Sequence, residues 1–170
     1  MKKKDIIIQI RSARASHIRW KSMVNIALRG IVIKHTDDIL PIVQTECEFG
    51  KWYYGEGMAL SLSQYYQDLE YPHEALHEVY IQIFTLQKAK LRGGFFISKK
   101  KLLRKRDEEI KRLLMDFNDF SRIIIETLKQ LEMEVLNMSD HEIDNLINME
   151  NDSSDSGLSE GFDLLIKKID

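Results

Sequence analysis

The chain has 170 residues, of which 44% are hydrophobic and 31% charged, and its formal net charge is −2. That length suits one domain with an added arm or tail, and the composition can build a core, which excludes global disorder. The nearly balanced charge gives no general pull toward nucleic acid or an anionic membrane, and neither is expected as a partner.

Met1-Lys2-Lys3-Lys4 has the charge of a signal-peptide start, but Gln9 and Arg11 interrupt the apolar stretch Ile6-Ile7-Ile8 too soon for a signal core. No segment approaches the ~18 apolar residues of a membrane span. The single cysteine cannot form an internal disulfide, so the fold does not need an oxidising compartment. A soluble cytoplasmic protein is expected, with its thiol reduced.

Ile18, Val24, Leu28, Ile31 and Val32 recur at irregular spacings, of which 24 to 28, 28 to 31 and 28 to 32 are threes and fours, predicting a first helix over 8–34. His35-Thr36-Asp37-Asp38 breaks it and offers Thr36 or Asp38 as a cap. A second helix is predicted over 39–54, carrying Cys47 and ended by Gly55 and Gly57. A shorter third covers 58–69. Pro72 suits the first turn of a fourth, which runs to Leu91 and stops at Gly93-Gly94.

The last long helix starts near Lys99. Ile110, Leu114, Phe117, Ile124, Leu128, Leu131, Val135 and Met138 step by threes and fours, with polar Ser121 the one interruption. Such a heptad stripe either covers a bundle core or forms a dimer seam, and one helix can do both. Ser139-Asp140-His141-Glu142 has capping-box form and opens a short helix to Met149. Residues 151–157 read as a flexible linker, and Phe162, Leu164, Leu165 and Ile166 as an amphipathic turn.

No strand pattern and no repeat stands out. The expected fold is therefore all-α: an up-and-down helical bundle with a four-helix core, a long C-terminal heptad helix and a flexible acidic tail. The expected division is 1–138 for the bundle and 139–170 for the tail. Lys99 to Arg106 is a basic run, while 137–165 holds eight Asp/Glu and no Lys or Arg. The pattern reads as a solvated helix start and an acidic tail, and no aromatic interleaving points to RNA or DNA.

Four side chains carry the chemistry. His73 and His77 are four apart, so on a helix both imidazoles lie on one face within reach of one ion. Their place beside Pro72 near a helix N-terminus disfavours imidazolium and keeps them as neutral ligands. Cys47 supplies a thiolate and His17 a third imidazole. Three nitrogens and one sulfur make a tetrahedral set that suits zinc. The leftover histidines are His35, which could stand in for His17, and His141.

His73-Glu74-Ala75-Leu76-His77 also matches H-E-x-x-H, the zinc-peptidase signature in which the Glu is general base. A peptidase needs an open metal position, which Cys47 would fill, and usually a strand beside the cleft. A closed, non-enzymatic zinc site is the preferred expectation. Zinc peptidase and passive zinc buffer are the alternatives.

His17, Cys47-x-Phe49-Gly50-x-Trp52 and Pro72-His73-x-x-x-His77 together resemble the chemoreceptor zinc-binding domain, over about residues 10–136. The resemblance implies an all-helical bundle, commonly a homodimer, with one zinc per subunit held by His17, Cys47, His73 and His77. It assigns Gly50 and Trp52 to packing, with the Trp52 ring shielding the site. It also implies sensing of zinc, or of oxidants through the zinc-bound cysteine, in a chemoreceptor or diguanylate cyclase system. No receptor signalling helix or cyclase domain is recognisable, so a stand-alone form that acts on a partner protein is expected.

Overall fold

The computed structural model describes residues 2–29, 43–90 and 98–146, and helices are the only regular structure among them. The first, α1 (Lys3–Leu28), begins five residues earlier than its apolar spacing predicts. The Asp5 carboxylate explains the early start. It accepts the Lys2 N–H at 3.0 Å, in the turn where free N–H groups and the helix dipole favour an anion. The buried face is Ile6, Ile10, Ala13, His17, Trp20 and Val24, stepping by four and three. Ile18, counted in the predicted stripe, lies on the opposite side and is exposed. The predicted end of this helix, residues 30–34, and His35 fall outside the described residues.

The region between α1 and the next long helix departs from expectation. Instead of one helix over 39–54, the described part has a 3-10 turn (Gln44–Glu46), Cys47 in extended backbone, and the short α2 (Glu48–Tyr53). Cys47 stands outside the helix because its sulfur caps it: Sγ accepts the Gly50 N–H at 3.1 Å. The predicted helix over 58–69 is likewise a 3-10 turn (Glu56–Leu60) followed by the single turn α3 (Gln64–Gln67). Here the chain folds tightly against Trp52. A Cβ on Gly57 would come within 2.8 Å of the Trp52 carbonyl oxygen and 3.0 Å of its ring. The Tyr66 hydroxyl donates to the Tyr53 carbonyl and ties α3 back onto α2.

The helix α4 (Glu70–Lys88) keeps Pro72 in its first turn, where the missing N–H has no helical partner to lose. Then α5 (Lys99–Asn137) runs for 39 residues, with the Ser98 hydroxyl accepting the Lys101 N–H at 3.3 Å as its cap. Its stripe is answered position by position. Phe117, Ser121, Ile124, Leu128, Leu131 and Val135 are fully buried, while Ile110, Leu114 and Met138 pack at the margin. The stripe covers the core within one chain, where α5 packs chiefly against α4 and α1.

Arg11 and Arg14 on α1 bind the two oxygens of Glu132 on α5 at 2.6 and 2.7 Å, fixing the register of these helices. The predicted capping box holds. Ser139 N–H donates to Glu142 at 2.6 Å, Glu142 N–H to Ser139 Oγ at 3.3 Å, and helix follows over 140–146. Ile143 from this stretch is buried in the common core. The fold is thus an all-α helical bundle with a long C-terminal helix. Gly93-Gly94, the linker and the amphipathic turn lie outside the described residues. No helix among the described residues is long and apolar enough to cross a membrane.

Candidate metal centre

The site starts from two helical positions and one cap. His73 and His77 occupy successive turns on the inner face of α4, with ring centroids 4.9 Å apart. Cys47 is brought to them by the turn that precedes α2, and its Sγ stands 3.3 Å from His73 Nε2. That turn is tightly built: a Cβ on Gly50 would lie 1.9 Å from the Gln44 carbonyl oxygen. Glycine is therefore required where the chain crosses itself to present the sulfur.

One donor atom each from Cys47, His73 and His77 lies within 4.8 Å of the others, and all three side chains are buried. His17 lines the same cavity of about 210 Å³ from α1. It is not part of the tight trio, and its Nε2 pairs with Ser121 Oγ at 3.1 Å. The structure thus brings three predicted ligands together and sets the fourth beside them. His141 is exposed, against Asn145, and away from the cluster.

The rings packed on the imidazoles are not the predicted one. Trp20 stacks on His77 at 4.6 Å between centroids, and Phe49 meets His73 edge-on at 4.6 Å. Trp52 does not line the cavity; it stands behind Phe49 at 5.7 Å. The Trp20 contact had a signal in the sequence, since it lies one turn after His17 on the same helix face. Phe49 lay inside the recognised motif, where its role was not separable from that of the tryptophan.

Burial sets the electrostatics. Loss of water holds His73 down at about 3, with the neighbouring His77 and His17 adding to the effect. His17 is lowered to about 3 by burial first, then by the charges of Lys21 and His77, against the Ser121 hydrogen bond. Both rings are neutral at physiological pH, as metal ligands must be. Burial also pushes the Cys47 thiol up to about 11, although the Gly50 and Phe49 N–H groups pull the other way. Only a cation at the sulfur would make it a thiolate there.

The donor set fits zinc. A tetrahedral Zn²⁺ with bonds of about 2.0–2.1 Å to nitrogen and 2.3 Å to sulfur sets neighbouring donors roughly 3.6 Å apart, close to the 3.3 Å between His73 Nε2 and Cys47 Sγ. His73 Nδ1 is buried without a hydrogen bond, and Nε2 has only the sulfur. A buried imidazole so poorly served costs free energy unless something else satisfies it. Among the described residues no carboxylate joins the trio, which disfavours calcium and magnesium. Glu74 is exposed while both flanking imidazoles are buried, so the H-E-x-x-H match places no general base at the cluster.

A helical bundle with a buried thiol–imidazole cluster is a metal-binding module. Residues 17–84 match the family model of the chemoreceptor zinc-binding domain, which supports the resemblance read from the sequence. The match spans all four predicted ligands from His17 to His77. The family is one of sensory zinc-binding domains rather than of enzymes. No curated protein and no solved structure matches the chain.

Proposed function

We propose that this is a cytoplasmic zinc-responsive regulatory protein, one zinc per subunit, acting as a homodimer on a partner in a chemoreceptor or diguanylate cyclase system. The observation that carries the reading is the buried meeting of Cys47, His73 and His77 within 4.8 Å. The family of residues 17–84 supports it.

Cys47, His73 and His77 would hold the ion, with His17 as fourth ligand. Zinc supplies charge that keeps the Cys47 sulfur as thiolate and cross-links α1, α2 and α4. The protein's own part is to keep the imidazoles neutral by burial and to screen them with Trp20 and Phe49. Two-electron oxidation of Cys47 to a sulfenic acid, by a peroxide-class oxidant that is itself reduced, removes a ligand and weakens the site. The helices it joined are then free to shift relative to one another, which a partner can read.

Elemental analysis of purified protein beside its sedimentation mass tests both claims, with one zinc per chain and a two-chain mass expected. Cys47→Ala should weaken zinc binding by at least about 100-fold, equivalent to ~2.7 kcal/mol, and abolish release of zinc by peroxide. Tight zinc binding in that variant would overturn the assignment of Cys47.

A further inference from the structure

The buried stripe of α5 contains one hydroxyl. Ser121 is closed off from solvent as completely as Phe117 and Ile124, its neighbours along the stripe. Helix propensity gives no reason for serine in that position, and a buried hydroxyl among apolar side chains is costly unless hydrogen-bonded. Its partner is His17 Nε2 on α1, 3.1 Å away and also buried.

We infer that Ser121 is a positioning residue for His17, holding the ring by Nε2 so that Nδ1 is kept for the metal, and thereby tying the site to the middle of α5. The inference rests on the zinc-site reading above. A neutral imidazole has one N–H and one lone pair, so a ring that donates through Nε2 can bind an ion only through Nδ1. Metal-bound histidines commonly donate their second nitrogen in this way, which orients the ring and raises its basicity.

The serine hydroxyl can accept that N–H once Nδ1 is taken by the metal, and it reaches the ring from a different helix. Two other polar α1–α5 ties, from Arg11 and Arg14 to Glu132 and from Lys3 Nζ to the Leu136 carbonyl at 2.6 Å, lie about three and four turns along α5 from Ser121 and do not involve the cluster. The His17–Ser121 pair is therefore a hydrogen-bonded route by which a displacement of α5 alters a predicted ligand.

The test is a set of zinc affinities measured on the full chain by competition with a chromophoric chelator. Ser121→Ala should bind zinc about 10- to 100-fold more weakly than wild type. In a His17→Ala background the same substitution should cause no further loss, because its effect passes through the ring. Ser121→Thr, which restores the hydroxyl, should bind within about threefold of wild type. Histidine ¹⁵N spectra should show His17 as the Nε2–H tautomer in wild type and a mixture in Ser121→Ala.

Affinity unchanged or tighter in Ser121→Ala would overturn the inference while leaving the zinc site intact. So would an equal loss in the His17→Ala background, or a Thr variant as weak as the Ala variant. A wild type that binds no zinc would remove the zinc reading and this one with it.

Discussion

At Gly50 a single missing carbon decides whether the cysteine reaches its partners. A methyl at that position would sit 1.9 Å from the Gln44 carbonyl oxygen, so the backbone before α2 would have to move. The same movement would disturb the Gly50 N–H bond to Cys47 Sγ. Gly50→Ala should therefore cost about 1–3 kcal/mol of stability and weaken zinc binding as well. Thermal melts and zinc titrations of this variant check the two effects together; a neutral outcome in both would contradict the tight crossing. The meeting of Cys47, His73 and His77 was legible in the sequence because metal-binding chemistry restricts the residue types. Four apart on a helix, His73 and His77 have little choice but to share a face. The geometry of Cys47 was not legible, since a sulfur capping a short helix follows no strong composition rule. Nor could spacing reveal that His17 would stand beside the trio, bonded to a serine more than a hundred residues away in sequence.

Among the elements, α5 was the most readable because its stripe persists over many turns, and a long periodic signal outweighs local accidents. Leu128 is fully buried in that stripe, so Leu128→Ala should destabilise the fold by about 2–5 kcal/mol, read from chemical denaturation. The segment 43–69 was misread for the opposite reason. Short turns bury residues at irregular spacing, and tertiary contacts of Trp52, Tyr53 and Tyr66 override any helical preference. The α1–α5 clamp was also invisible, because Arg11 and Arg14 are separated from Glu132 by most of the chain. Partial burial pushes the Glu132 carboxyl up, but the hydrogen bonds and charges of Arg11 and Arg14 outweigh this and leave it below the usual carboxylate range. The contribution of the clamp is then complete above that range and is lost as pH falls through the lowered folded value. Glu132→Gln should cost ~1 kcal/mol near neutral pH and should flatten the acid limb of the stability profile. Equal acid sensitivity in the variant and wild type would show that the clamp does not set it.

For the whole molecule, the predicted ligands join parts that the apolar core holds unequally. The turn with Cys47 leads into short elements, whereas α4 and α5 share an extended buried interface. An ion bound to His17, Cys47, His73 and His77 would close the chain between residues 17 and 77 and add its binding free energy to folding. With free zinc at about 100 times its dissociation constant, the gain is ~2.7 kcal/mol. For a chain of this size that corresponds to roughly 5–10 °C in melting temperature. Chelation should lower the melting point of the wild type by that amount and leave Cys47→Ala nearly unmoved. The loss should also be local at first. Hydrogen exchange across 43–60 should rise on chelation while the middle of α5, sealed by the fully buried Ile124 and Leu128, stays protected. Uniform deprotection would mean that the metal holds the bundle as one unit rather than pinning its least-packed segment to α4.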